Sequence, residues 1–332
     1  MRIRSRRTAT AAFVAVAAMT MTGCSSSGGR PADEGADGAA AGVADTPRME
    51  IAMITHAAPG DTFWDIVRSG AEDAAAKDNV ELNFQGAPEA GDQVNLVQSA
   101  IDSGVDGIAV TLAKADALNP VVQRAVDAGI PVVAFNGGFE EWQDSGAVGY
   151  FGQDEELAGE AAGTRLTEEG AQHELCVIQE QGHVGLEARC RGVDNTFNGT
   201  SEVLYVTGTD MPSVQQAITS KLQQSPSIDR VVTLGAPFAM TAVQSVDAAG
   251  SDAQVVTFDT NSELIGAVQD GDVQWAIDQQ PYLQGYLAVD SLWLYNTNGN
   301  TIGGGQATLT GPSFIDSTNV DRVAEFAAGG TR

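Results

Sequence analysis

The chain has 332 residues, enough for two domains that each bury a core, and carries 44 acidic against 17 basic side chains, a formal net charge of -27. A surface of that sign repels phosphate backbones and anionic headgroups, so it argues against nucleic acid as a partner and against electrostatic docking on a membrane.

Arg2, Arg4, Arg6 and Arg7 precede an apolar run over residues 11–19 that is too short to span a bilayer permanently. This is the pattern of a cleaved signal peptide, assigned to residues 1–23. Met21-Thr22-Gly23-Cys24 resembles a bacterial lipobox, in which Cys24 would become the lipidated first residue of an exported chain held on the outer face of the cell membrane. Residues 25–46 are rich in Ser, Gly, Ala and Asp and too poor in apolar side chains to fold, so residues 24–47 are expected to form a tether. Membrane attachment is then through the lipid anchor only. Cys176 and Cys190 remain, an even number in an oxidising compartment.

From Glu50 onward, short apolar runs alternate with amphipathic stretches, the signature of parallel βα units. A strand is expected over 51–54. Asp61 then stands as an N-cap before Phe63, Val67, Ala71 and Ala74, which recur at helical spacing. Strands over 80–84, 108–111 and 130–135 follow, with helices over 92–103 and 117–128 closed by Gly104 and Gly129. A second series opens with a helix over 155–166 and has strands near 175–178, 203–206, 231–234 and 255–258, with helices over 213–223 and 238–248 among those between them. Gly303-Gly304-Gly305 reads as a turn.

Two such sets predict an α/β protein of two similar parallel-sheet lobes joined by a hinge. The expected division is residues 48–152 plus about 279–305 for lobe 1, and residues 153–278 plus about 306–316 for lobe 2. Residues 317–332 are expected to form a C-terminal extension. Ligands of open parallel sheets sit beyond the carboxyl ends of the strands, so strand-end residues are the candidates.

The chain contains no Gly-x-Ser-x-Gly elbow, no HExxH, no Walker A loop and no GxGxxG at the first strand-to-helix turn, which lowers the case for an enzyme. The first turn instead carries Asp61 beside Phe63 and Trp64. Adjacent helical positions point in different directions, so one aromatic should face a cleft. An aromatic face with a carboxylate suits the CH faces and hydroxyls of a sugar; a core Trp with a capping Asp accounts for the segment equally well.

The segments PGDTFWDIVRSGAEDAA (59–75), GVDGIAVTLAKADAL (104–118), AVDAGIPVVAFNGG (125–138), YFGQDEELAG (150–159), CVIQEQGHVGLEARCRG (176–192), VVTFD (255–259) and AIDQQPYLQGY (276–286) together resemble the ribose-binding-like, type I periplasmic substrate-binding proteins of sugar ABC importers. The resemblance implies a non-enzymatic receptor, without cofactor or metal, that binds a small carbohydrate (monosaccharide, deoxysugar or polyol) by hinge closure and delivers it to an ABC permease. It assigns ligand contacts to Asp61, Phe63, Trp64, Thr111, Asn136, His183, Arg189, Phe258, Asp259 and Gln279. Gln153 and Asp154 fall at the first hinge crossing, where a turn and helix cap is an equal reading.

Departures put ribose itself in doubt. Gly137 stands where ribose binders carry an arginine, and Gly235-Ala236 where they carry an amide and a carboxylate. Cys176 and Cys190 flank the His183 loop and are expected to be bonded; a metal site of His173, Cys176, His183 and Cys190 is the alternative, with a spacing that matches no standard zinc site. A receptor for a furanose-like signal and a secreted carbohydrate-acting enzyme are the other functional readings.

Overall fold

The computed structural model describes residues 43–332. The expected signal peptide and Cys24 lie outside these residues, as does the expected tether up to residue 42. The described chain begins with β1 (Met49–Thr55), α1 (Thr62–Asp78), β2 (Val80–Gly86), α2 (Ala90–Ser103), β3 (Gly107–Val110), α3 (Ala115–Asp127), β4 (Val132–Phe135) and β5 (Tyr150–Gly152). These strands, in the order β5-β4-β3-β1-β2, form a parallel sheet. Its strands read as near-continuous apolar runs because helices cover both faces: β3 and β4 are buried at every position.

The second sheet repeats the plan. Between α4 (Glu155–Glu168) and α8 (Ser262–Asp270) run β6 (His173–Ile178), α5 (Val184–Thr196), β7 (Thr200–Tyr205), α6 (Met211–Gln224), β8 (Arg230–Thr233), α7 (Ala236–Ala249) and β9 (Gln254–Phe258), followed by β10 (Val273–Asp278). The order β10-β9-β8-β6-β7 matches the first sheet strand for strand. In each lobe the order reverses between the first and third strands of the set, β1/β3 and β6/β8, which opens a crevice at their carboxyl ends.

The chain returns to lobe 1 as α9 (Pro281–Asn298), whose Gly285 packs so closely on α1 that a Cβ there would overlap the Val67 carbonyl. A short strand, β11 (Thr308–Leu309), then adds to β5 in parallel, and β12 (Ser313–Asp316) pairs antiparallel with β10. Residues 308–309 thus belong to the first sheet, where the sequence assigned them to lobe 2; a two-residue strand leaves no periodic trace. The final helix, α10 (Val320–Ala328), packs on α8 and buries Val320 and Ala327 in the second lobe. Residues 317–332 are therefore part of lobe 2 and not an extension from it. Val320, Val323, Ala324 and Ala327 carry the i, i+3, i+4, i+7 spacing that marks such a face.

Candidate ligand-binding site between the lobes

Three non-glycine residues with left-handed backbone stand at or just beyond strand ends: Asn136 (φ 61) after β4, Asp259 (φ 66) after β9 and Gln280 (φ 56) two residues after β10. Such conformations persist only where surrounding structure holds them, and they gather at ligand sites. Tyr150 Oη donates to the Asn136 carbonyl at 2.6 Å, and the Asp259 N–H donates to the Ile277 carbonyl at 2.8 Å. Their side chains meet through Gln279. Gln279 Nε2 donates to Asp259 Oδ1 at 2.6 Å, while its Oε1 accepts from Asn136 Nδ2 at 3.1 Å and from Gln284 Nε2 at 2.9 Å. This amide chain joins the two lobes across the segment linking β10 to α9.

Arg189, 4% exposed, projects from α5 into a buried carboxylate pair. Its Nε and Nη2 donate to Glu155 Oε2 and Oε1 at 2.6 and 3.1 Å, and its Nη1 reaches the Leu234 carbonyl at 3.0 Å and Asp259 Oδ2 at 3.5 Å. Burial raises the pKa of both Glu155 and Asp259, opposed by the guanidinium charge. Burial also works against the Arg189 cation, but Glu155 and then Asp259 outweigh it and hold its pKa above the ordinary value. Beneath the guanidinium lies Phe258, its ring centroid 4.8 Å from Cζ, fully buried in the lobe core. Phe258, a ligand contact by the resemblance, forms the floor on which Arg189 rests.

On the lobe 1 side, Asp61 caps α1 by accepting the Phe63 N–H at 3.1 Å. Burial raises its pKa to about 6, against that N–H bond and with help from the charges of Asp259, Asp65 and Glu180. Trp64 is 6% exposed and Phe63 half-buried, the two rings meeting edge to face at 5.1 Å. Of the pair, Phe63 is the more open. Thr111, a ligand contact by the resemblance, is fully buried: its Oγ1 lies 3.1 Å from the His56 backbone N, 2.8 Å from His56 Nδ1 and 3.1 Å from Gln93 Nε2. It holds His56 in place.

His56, the first residue beyond β1, meets His183, the N-cap of α5, with Nε2 atoms 3.1 Å apart across the lobes. Lys114 pairs with Glu180 at 2.8 Å, the Val184 N–H donates to the Ala113 carbonyl at 3.1 Å, and Asn261 Nδ2 donates to Thr62 Oγ1 at 3.2 Å, all from one lobe to the other. A cavity of about 270 Å³ lined by Glu140, Glu155, Gly182, Glu187 and Arg191 opens beside this contact. A larger one, about 740 Å³ among Leu283, Arg322, Phe326 and Arg332, reaches Gln280 but none of Asn136, Arg189 and Asp259.

At the crossing after β5, Asp154 accepts the Leu157 N–H at 3.0 Å as the cap of α4, and buried Gln153 donates to Glu155 Oε2 at 2.6 Å. Cys176 and Cys190 form a disulfide. The bond uses both sulfurs, and His173 is bound to Ser227 and Glu202, so the metal alternative is overturned. Gly137 packs closely on the neighbouring loop: a Cβ would sit 3.0 Å from the Ala113 nitrogen, so a side chain at the position where the resemblance puts an arginine requires Ala113 to shift. His56, Gln93, Glu155 and Gln284 escaped the sequence reading. His56 ends a strand and the strand-end rule could have found it; Glu155 reads as an ordinary acidic first turn, and only folding sets it against Arg189.

The family model for the periplasmic binding protein domain matches residues 51–300. The chain belongs to the periplasmic binding protein family. Its members are non-enzymatic, extracytoplasmic solute-binding proteins. A carbohydrate transporter protein of Acidothermus cellulolyticus, solved in complex with myo-inositol, is 58% identical with a TM-score of 0.85, the match covering 86% of this chain and 100% of that one. The xylose/arabinose-binding protein of Sulfolobus acidocaldarius is 27% identical over 84% of this chain and 73% of its own. The xylitol-binding protein of Mycolicibacterium smegmatis is 25% identical over 71% and 76%. As a family member, the chain is a sugar- or polyol-binding component of an ABC transporter.

Proposed function

We propose that this sugar- or polyol-binding component of an ABC transporter takes a cyclic polyol between its lobes, with myo-inositol the first candidate. The observation that carries the choice is the 58% identity, over the whole of the Acidothermus chain, to a protein bound to myo-inositol. The side chains support it. Arg189, Asn136, His56 and His183 offer donors, Asp61, Asp259 and Glu155 offer acceptors, and Phe63 and Trp64 offer an apolar face, a mixture that suits a ring bearing a hydroxyl on every carbon. The absence of side chains at Gly137 and Gly235 takes away partners that ribose binders use.

Binding proceeds by closure about the crossings at Gln153-Asp154, Gln279-Gln280 and residues 310–312: the ligand binds one lobe, and contacts from the other favour the closed form that the permease recognises. Lipidation of Cys24 holds the protein at the outer face of the membrane. Replacing Cys24 with Ser should release the protein into the medium; unchanged retention in the membrane fraction contradicts the anchor.

A thermal-shift panel of myo-inositol, xylitol, ribose, arabinose and xylose tests the ligand. At a hundredfold excess over Kd a ligand stabilises by about 2.7 kcal/mol, which raises the melting temperature by several degrees. Myo-inositol should give the largest rise. A larger rise with a pentose or with xylitol contradicts the proposal.

A further inference from the structure

We infer that His56 and His183, one from each lobe, form a two-donor clamp that closes on a single acceptor oxygen of the ligand. The inference rests on the polyol reading above and names the contact that reads one hydroxyl.

Proton counting at Thr111 fixes the tautomer of His56. Thr111 Oγ1 has one hydrogen and two acceptor lone pairs. Two of its neighbours are obligate donors, the His56 backbone N–H at 3.1 Å and Gln93 Nε2 at 3.1 Å. Its own hydrogen therefore goes to the third, His56 Nδ1 at 2.8 Å. A neutral imidazole that accepts at Nδ1 carries its proton on Nε2. His183 is fixed independently to the same tautomer. As the N-cap of α5 its Nδ1 accepts the backbone N–H groups of Gly185 at 3.1 Å and Leu186 at 3.4 Å, so its proton also sits on Nε2.

The two Nε2 atoms thus face each other at 3.1 Å as two donors, with no lone pair between them. Adding a proton to either ring does not help, because it supplies a further donor. Burial, with the nearby charges of Lys114 and Arg189, keeps the His56 pKa down at about 3, and burial together with His56 and Arg189 holds His183 well below its ordinary value. Two buried N–H groups without acceptors oppose full closure at this point.

A hydroxyl oxygen placed between the rings resolves the conflict. Its two lone pairs accept one N–H from each lobe, and two such bonds of ordinary length set the Nε2 atoms about 4.5 to 5 Å apart. The hydroxyl's own hydrogen stays free for a carboxylate. Trp64 meets the His56 ring edge to face at 4.8 Å and fixes its plane, and the Val184 N–H bond to the Ala113 carbonyl brings the lobes together beside the pair. A ligand lacking that oxygen leaves both donors unpaired, so the clamp discriminates by hydroxyl position.

The chain has three histidines, His56, His173 and His183, which makes nitrogen NMR of the imidazoles direct. On the full mature protein at neutral pH, both His56 and His183 should be neutral with the proton on Nε2. Myo-inositol should shift both Nε2 resonances and leave His173 unchanged. Among the monodeoxy-inositols, one should bind wild type at least tenfold more weakly than the parent. His56→Phe keeps the ring packing and His183→Asn keeps the helix cap; each should weaken myo-inositol about tenfold or more and lose the discrimination against that one analogue. A proton on Nδ1 of either imidazole, or full discrimination in both variants, overturns the clamp. If wild type does not bind myo-inositol at all, the ligand choice fails, and the tautomers alone decide: Nε2 on both sustains the clamp and Nδ1 on either overturns it.

Discussion

Arg189 joins two functions that its position in the sequence does not separate. Its bidentate bond to Glu155 and its contact with Asp259 are all within lobe 2 and nearly dry, so the side chain holds the lobe's strand ends together as well as being proposed to bind the ligand. Truncating one partner of a buried ion pair costs roughly 3 to 5 kcal/mol, because the other charge is left uncompensated. Arg189→Ala is therefore expected to lower the melting temperature of the free protein markedly. Arg189→Lys should restore little, since one ammonium does not span both Glu155 oxygens. A free-protein melt equal to wild type in Arg189→Ala would mean that the pair carries no structural weight.

Asp61 has a different consequence. Its pKa of about 6 lies above the ordinary 3.8, so the neutral carboxyl accumulates as the pH falls through 6. The ionised form accepts through both oxygens and more strongly than the neutral acid, so ligand affinity should hold above pH 7 and decline below 6. His56, with a pKa of about 3, stays neutral across that range. Asp61→Asn should flatten the profile, as titration calorimetry at pH 5 and pH 8 would reveal. The sign for stability is opposite in the two residues. The raised Asp61 pKa favours the fold most below 3.8 and loses that contribution as pH rises through 6, whereas the lowered His56 pKa costs stability as pH falls below 6.5.

At the scale of elements, the helix pair α4 and α5 sets where Arg189 points. Gly159 and Gly192 face each other, and a Cβ on either would overlap a backbone carbonyl, that of Arg189 or of Glu156. Gly159→Ala and Gly192→Ala should each destabilise by about 1 to 3 kcal/mol through overpacking and weaken ligand binding by moving Arg189 off Glu155. Wild-type stability and affinity in both would show that the helices part at no cost. Most elements were legible from the chain because their signals are local: capping Asp61, closing Gly104 and the apolar runs of β4 and β9 all act within a few residues. β11 was not, since two residues carry no period, and its place is dictated by the free edge of β5.

At the scale of the molecule, the two lobes and their strand order follow from counting βα units, but the site depends on what the lobes bring together. Strand-end logic reached Asn136, Asp259 and Gln279, which meet in one hydrogen-bonded chain. It also gave Thr111 and Phe258, whose side chains turn toward His56 and under Arg189. It passed over Glu155, a helix-opening residue 34 positions from its partner, and His56, a strand-end residue whose partner lies 127 positions away. Glu155 and Arg189 meet within lobe 2, whereas His56 and His183 meet only across the lobes.

The central claim is that the chain holds a cyclic polyol between its lobes and returns it unchanged. Titration calorimetry of the mature protein with myo-inositol, followed by chemical analysis of the recovered ligand, tests it most directly. One site per chain, with a Kd of micromolar order or tighter and intact myo-inositol recovered, is the expected result. No measurable heat, or a ligand converted to another compound, would contradict it.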